Sequence, residues 1–162
     1  MASSNSHILP LALAVLLLAA AACSRPAGDH RFISSETARR QGGTYLFEET
    51  FDDGARYALT LAARVVTSRI PGGNLELDIR IKAPDGTTAI ERVALPLQPA
   101  DGVAMTLGSG SVADFAWPWR ELPGDEGAGP GTWTFTVQPA DPAIADAIYG
   151  IGLSFEPSDG KR

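Results

Sequence analysis

Residues 75–87 of this chain read LELDIRIKAPDGT, and their alternation is the strongest structural signal in the sequence. From Leu75 to Ile81, every second residue is leucine or isoleucine, and the residues between them are charged. Only an extended strand sends successive side chains to opposite faces, so this stretch predicts a strand with one apolar and one charged face. Proline and glycine in Pro84-Asp85-Gly86 favour the dihedral angles of a turn, which predicts the end of the strand.

A second stretch, GTWTFTVQ at residues 131–138, supplies the apolar layer that a half-buried strand requires. Trp133, Phe135 and Val137 alternate with three threonines, so their side chains share one face. We expect this face to stack on the apolar face of Leu75–Ile81. Two such strands predict two antiparallel sheets packed face to face.

Other short alternating runs continue the pattern along the chain, and turn residues rich in glycine and proline separate them. The runs lie at residues 44–51, 57–67, 87–97, 103–107 and 148–156. Seven or eight short strands at this spacing predict an all-β fold, an antiparallel β-sandwich that is jelly-roll-like. Asp141-Pro142 predicts a single helical turn, because aspartate caps a helix and proline fits its first position.

The composition excludes some classes of function. The chain has 162 residues and a formal net charge of −6, with its acidic residues spread along it. An acidic chain lacks the basic patch with which proteins bind nucleic acid or adsorb to anionic lipid, so we expect no nucleic-acid partner. Cys23 is the single cysteine, which excludes an intramolecular disulfide and a zinc site of the cysteine type.

The amino-terminal segment has the features of an export signal. Ile8–Ala22 is apolar and ends in small residues directly before Cys23. A bilayer span needs about 20 apolar residues, so this shorter run fits the core of a signal peptide. It resembles the signal and lipobox of bacterial lipoproteins, although Ala20 stands where leucine is usual. That resemblance implies that Cys23 becomes lipid-modified and amino-terminal; the alternative is an ordinary signal cleaved after an Ala-x-Ala site.

These features divide the chain into four predicted parts. Residues 1–22 form the lipoprotein signal peptide, and residues 23–43 form the lipidated Cys23 with a flexible tether, because this segment is polar and rich in Gly and Pro. Residues 44–157 form the β-sandwich domain, and residues 158–162 form a carboxy-terminal tail. By resemblance to lipoprotein sorting signals, the serine after Cys23 implies a cell-envelope location in the outer membrane.

Residue types limit the catalytic chemistry that the domain can carry. His7 lies in the signal and His30 in the predicted tether, so we expect a folded domain without histidine. Such a domain can hold neither a Ser-His-Asp catalytic triad nor a metal site with histidine ligands. The remaining candidates are carboxylates, at Asp52-Asp53, Asp85, Asp101, Asp125-Glu126 and Asp141. Most adjoin glycine or proline, where aspartate caps a turn, and the alternatives are a calcium site or a glycosidase pair. We predict no catalytic residue, no metal and no cofactor.

An aromatic cluster is the strongest candidate for a binding surface. Phe115, Trp117 and Trp119 alternate within residues 108–131, whose Gly and Pro content predicts a long surface connection. Tryptophan stacks on sugars and is enriched at interface hot spots, and Arg120 would then be a rim charge. The other interpretation makes the aromatic side chains a lid on one end of the core.

The order of these motifs resembles one bacterial family. The motifs follow one another as an aromatic first strand, the strand ending in PDGT, a tryptophan-bearing segment, the GTWTFTV strand and a closing IYGIGLSFE strand. In this order, over about residues 44–156, they resemble the gliding-motility lipoprotein H family. The pairing of PDGT with a later GTWTF strand also resembles the P domain of proprotein convertases and the pre-peptidase carboxy-terminal domain. In those jelly rolls the first motif closes a central hairpin and the second is its long-range neighbour.

The resemblance implies a function at the cell envelope. It predicts a non-enzymatic, lipid-anchored accessory or structural component of a gliding-motility or type IX secretion apparatus. The expected partners are the membrane, through the amino-terminal lipid, and other envelope proteins of that complex. The alternative function is an envelope carbohydrate-binding module that uses Trp117 and Trp119.

Overall fold

Nine strands and short helical segments make up the part of the chain that the computed structural model describes, residues 29–52, 56–98, 103–107, 111–122 and 129–158. The strands are β1 (Asp29–Ser34), β2 (Tyr45–Phe51), β3 (Tyr57–Val66), β4 (Asn74–Lys82), β5 (Thr88–Pro96), β6 (Ala104–Leu107), β7 (Val112–Leu122), β8 (Gly131–Pro139) and β9 (Ile148–Pro157). One α-helix, α1 (Ser35–Arg40), joins β1 to β2. Three 3-10 segments lie at Thr67–Arg69, Pro71–Gly73 and Pro142–Ala147.

The strands form two antiparallel sheets with the topology of a jelly roll. The five-stranded sheet has the order β1-β9-β3-β7-β6, and the four-stranded sheet has the order β2-β8-β4-β5. The β4–β5 hairpin is the tip of a longer folded ribbon, in which β3 pairs with β7, β2 with β8 and β1 with β9. Successive pairs of this ribbon alternate between the two sheets, which is how a jelly roll is wound. The predicted all-β sandwich is therefore confirmed, with β6 added at one edge.

The alternating residues build the core, as expected. Leu75, Leu77, Ile79 and Ile81 are each at most 2% exposed, and Trp133, Phe135 and Val137 are equally buried. The expected face-to-face stacking of these two strands is wrong, because β4 and β8 are neighbours in one sheet, with Ile81 opposite Phe135. The facing layer comes from β3, β7 and β9, which contribute the fully buried Leu61 and Leu153. Neighbouring strands present the same apolar face, so alternation alone cannot tell a neighbour from a facing strand.

The domain begins earlier in the chain than its composition predicts. Residues 29–43 were expected to belong to a tether, but β1 pairs with β9 from Asp29 to Ser34. The hydroxyl of Ser34 then caps α1 by accepting a hydrogen bond from the Thr37 amide. The prediction of a domain without histidine is wrong for the same reason, since His30 lies in β1. A short edge strand with few apolar residues gives little periodic signal, and the sheet supplies the missing stabilisation.

Two local predictions are confirmed and one is corrected. Gly86 has a φ of 89° in the turn that joins β4 to β5, and Asp85 accepts a hydrogen bond from the Thr87 amide. Asp141 caps the 3-10 segment Pro142–Ala147 through the Ala143 amide. The long surface connection expected at residues 108–131 instead contains β7, the longest strand described.

Candidate functional site

The predicted aromatic surface lies mostly inside the sandwich. Phe115 is 2% exposed and Trp117 is 3% exposed, and their rings stack with centroids 5.4 Å apart. The Trp117 indole donates a hydrogen bond of 3.0 Å to the Pro96 carbonyl, which satisfies its only donor. Both side chains are therefore core, the second of the two interpretations of the sequence.

Trp119 and Arg120 close the seam between the two sheets. Trp119 is half-buried, and its indole N–H donates to Oε1 of Glu91 on β5 at 3.2 Å. Arg120 donates to the other oxygen of the same carboxylate at 3.3 Å, and its guanidinium lies 5.7 Å from the Trp119 ring centroid. One carboxylate thus joins β5 to β7 across the edge of the sandwich. This is a structural role, and it leaves little of Trp119 to contact a ligand.

The outer face of the five-stranded sheet carries a concave site that the sequence did not reveal. The strand register places four outward positions in one row across four of the strands: Phe32, Gly152, Ala62 and Ala116. Ala62 and Ala116 make the row low beside Phe32, so a shallow trough crosses β3 and β7. It contains a hollow of about 370 Å³. We call it the Phe32 hollow; its lining includes His30, Phe32, Ala62, Arg64, Asp114 and Ala116.

The ring of Phe32 forms one end of this hollow and rests on two glycines of β9. A Cβ atom built on Gly150 would lie 2.4 Å from two ring carbons of Phe32, and one on Gly152 would lie 3.2 Å from a third. The ring therefore spans both positions and occupies the space that two side chains would fill. Phe32 is nevertheless 45% exposed, so it presents much of its apolar surface to solvent. A single exposed phenyl group is ordinary by itself, and here it gives the hollow one aromatic wall.

A bidentate ion pair borders the hollow in the next row. Arg64 on β3 lies opposite Asp114 on β7, and two hydrogen bonds of 2.7 and 2.9 Å join the guanidinium to the carboxylate. These hydrogen bonds lower the pKa of Asp114 and raise the pKa of Arg64. The Arg64 guanidinium also lies 5.9 Å from the Phe32 ring centroid. The planar guanidinium and carboxylate groups are thus held beside an aromatic face. The Arg64 and Asp114 side chains remain about half exposed.

The four-stranded sheet has a polar outer face with a comparable ion pair. Arg92 on β5 donates two hydrogen bonds, of 2.7 and 2.9 Å, to Asp78 on β4, and they lower the pKa of Asp78. A hollow of about 480 Å³ lies beside this pair, lined also by Arg80 and Thr136. No aromatic side chain lines it. Its apolar lining residue is the exposed Ile90, so it lacks the aromatic platform that distinguishes the Phe32 hollow.

The remaining predicted candidates have local roles or lie outside the described residues. Asp85 and Asp141 cap turns, as above, and the hydrogen bonds from Thr87 lower the pKa of Asp85. Within the described ranges, no three His, Cys, Asp or Glu residues group closely enough to hold a metal ion. The same part of the chain contains no helix with the length and hydropathy of a membrane span. The candidates that fall outside it are Cys23, Asp53, Asp101 and Asp125-Glu126.

Comparison with known proteins gives no family for this chain. No protein family and no curated protein matches it. One solved structure to which it is similar is that of infectious bursal disease virus Gt strain, with 11% sequence identity and a TM-score of 0.19. The alignment covers 82% of this chain and 38% of the viral chain. A score this low supports no argument about fold or function.

Proposed function

We propose that this chain is a lipid-anchored lipoprotein of the bacterial cell envelope, residing in the outer membrane. In this proposal it acts as a non-enzymatic component of a gliding-motility or type IX secretion apparatus. The observation that carries the anchor is the position of the only cysteine, directly after the apolar run Ile8–Ala22. The motif order and its resemblance to the gliding-motility lipoprotein H family support the envelope role.

The start of β1 limits the distance between the domain and the membrane. Only residues 24–28 lie between Cys23 and Asp29, where the sheet begins. A fully extended chain rises by at most about 3.6 Å per residue, so an acylated Cys23 would hold Asp29 within about 20 Å of the lipid headgroups. The anchored domain would therefore stand close to the bilayer.

Lipid modification of Cys23 would make this attachment permanent in practice. Each buried methylene contributes about 0.8 kcal/mol, and one acyl chain alone holds a protein only reversibly, whereas several chains together act as a stable anchor. The acidic body of the protein does not adsorb to anionic lipid by itself, since its formal net charge is −6. Membrane association is thus expected to depend wholly on Cys23.

Metabolic labelling tests the anchor. Cells that express the full chain are grown with an alkyne-bearing fatty acid, and the purified protein is examined for the label and by mass spectrometry of its mature amino terminus. We expect a labelled protein that begins at Cys23, and loss of label and of membrane fractionation in Cys23→Ser. An unlabelled mature protein that begins at another residue would exclude the anchor and favour the ordinary signal peptide.

Crosslinked purification tests the role in an apparatus. Wild-type protein and the Cys23→Ser variant are each crosslinked in cells and purified from membranes, and the recovered proteins are identified. We expect components of one envelope complex with the wild type and their loss with the variant. Recovery of the labelled lipoprotein without any stable envelope partner would contradict the assembly role and leave the anchor intact.

A further inference from the structure

We propose that the Phe32 hollow is a binding site for an uncharged glycan chain, which lies across the strands of the five-stranded sheet. This site goes beyond the envelope role proposed above and does not depend on the lipid anchor. It uses neither Trp117 nor Trp119. The proposal rests on three properties of the hollow: its aromatic platform, its hydrogen-bonding groups and its balance of charge.

The aromatic platform is the exposed ring of Phe32. Sugar rings have apolar C–H faces that pack on aromatic faces, and they leave their hydroxyl groups at the edges. Phe32 is held at the end of the hollow by its position over Gly150 and Gly152, where any Cβ would collide with it or crowd it. Its orientation is therefore fixed before a ligand arrives, which reduces the entropy lost on binding.

The hydrogen-bonding groups are those of Arg64 and Asp114. A guanidinium has five N–H donors and a carboxylate has about four acceptor positions, so a pair joined by two hydrogen bonds keeps further donors and acceptors. A pair of neighbouring hydroxyl groups can both donate and accept, and it matches such a planar edge. Because each charged group holds the other, neither requires a ligand to neutralise it.

Charge complementarity selects an uncharged ligand. Among the described residues that line the hollow, the Asp, Glu, Lys and Arg side chains are those of Arg64 and Asp114, and their charges cancel. An anionic group placed there would meet the Asp114 carboxylate, and a cationic group would meet the Arg64 guanidinium, at the short distances where Coulomb energies are large. A polyhydroxyl compound without formal charge avoids both penalties.

The shape of the trough favours a glycan over a peptide. The hollow is lined by residues of β1, β3, β6 and β7, so it runs across the strands and suits a short oligosaccharide. The strands beneath the hollow, β3, β7 and β9, each pair on both sides, which commits their backbone groups to the sheet. A peptide laid across them would find no free strand edge with which to pair its main-chain amide groups, whereas a glycan has no main-chain amides.

Calorimetric titration of the purified full chain in detergent micelles tests the proposal. The probes are uncharged hexasaccharides of cellulose, xylan, chitin and mannan, with heparin and a peptide array as comparisons. We expect at least one uncharged hexasaccharide to bind, and expect Phe32→Ala and Ala116→Leu to weaken its binding at least tenfold. Leu46→Ala is the matched control, because Leu46 is similarly exposed, at 40%, but lies on the other sheet, and it should leave the binding unchanged.

Each other outcome would overturn the proposal. These are failure of every uncharged hexasaccharide to bind at millimolar concentration, binding that survives both substitutions, and stronger binding of heparin or of peptides. Because Phe32→Ala also removes packing from β1, isotope-filtered NOE spectroscopy on the unsubstituted, isotope-labelled protein with unlabelled sugar gives an independent measurement. It should show the Phe32 ring protons in contact with the bound sugar, and contact confined to other aromatic rings would refute the site.

Discussion

Substitution of Gly150 by alanine tests how the hollow is built. A Cβ at this position would lie 2.4 Å from two carbons of the Phe32 ring and 2.8 Å from the Ile33 carbonyl oxygen. Alanine in place of glycine normally stabilises a strand by roughly 0.5–1 kcal/mol, because the unfolded chain loses freedom. Here the added methyl group meets a backbone atom that cannot rotate away. We therefore expect the steric clash to exceed this stabilisation, so that Gly150→Ala destabilises the protein.

The expected cost follows from overpacking, which destabilises a protein by about 1–3 kcal/mol. With contacts to both a side chain and a backbone oxygen, Gly150→Ala should lower the free energy of unfolding by about 2–3 kcal/mol. For a domain of this size, that corresponds to a fall in melting temperature on the order of 10 °C. Urea denaturation followed by circular dichroism measures the change, and the slope with urea should stay constant.

A double-mutant cycle with Phe32→Ala separates the two contacts. In the Phe32→Ala variant the phenyl ring is absent, and only the contact with the Ile33 carbonyl oxygen remains. Gly150→Ala should therefore lower the free energy of unfolding of this variant by about 1 kcal/mol less than it does in the wild type. Gly129→Ala is the matched control, because its Cβ would meet no atom within 4 Å, and it should change stability by less than about 0.5 kcal/mol. Equal costs for Gly150→Ala and Gly129→Ala, or no coupling to Phe32, would refute the placement of the ring.

Two further predictions concern the core and the ion pair beside the hollow. Trp117→Ala should lower the free energy of unfolding, measured by heat or urea, by about 3–5 kcal/mol, because it removes a 97%-buried indole and its hydrogen bond to Pro96. An unchanged melting temperature would contradict the assignment of Trp117 to the core. The pKa of Asp114 is lower in the folded state than in the unfolded state. Below about pH 4 the unfolded state therefore binds more protons than the folded state does, and the free energy of unfolding decreases as the pH falls through the folded pKa. Asp114→Asn should therefore flatten the acid side of the stability curve measured by urea titration from pH 7 to 2, and an unchanged acid slope would show that the pair with Arg64 does not form in solution.

The aromatic residues show what sequence reasoning can and cannot place. Phe115 and Trp117 alternate in the sequence, as residues on one face of a strand do, but the sequence leaves their surroundings open between core and surface. The answer depends on which strands cover β7, and these include β5, whose Pro96 accepts the hydrogen bond from Trp117, and β8, whose Phe135 contacts Trp119. Exposure is a property of the packed pair of sheets, and no local pattern around Trp117 encodes it.

The Phe32 hollow could not be predicted for a related reason. Its residues come from β1, β3, β6 and β7, and each strand taken alone shows only one or two small outward residues. The register between strands aligns them into a row, and register is set by turns and by core packing far from the row. A weak signal did exist in Gly150 and Gly152, since two glycines at alternate positions of a strand often mark a close approach by another group.

The sequence alone determined the strand periods, the apolar face of each strand, the turn at Pro84-Asp85-Gly86 and the all-β class, because each depends on side chains that are near one another in the chain. The tertiary structure decided that β4 and β8 are neighbours, as the jelly-roll resemblance implied, and not facing strands, as alternation suggested. It alone showed that β1 belongs to the domain and that Phe32 lies beside Arg64 and Asp114. Those facts depend on pairing between distant segments. Alternation with a period of two fixes which face of a strand is buried, but it is the same for every possible partner strand, so it cannot choose among them.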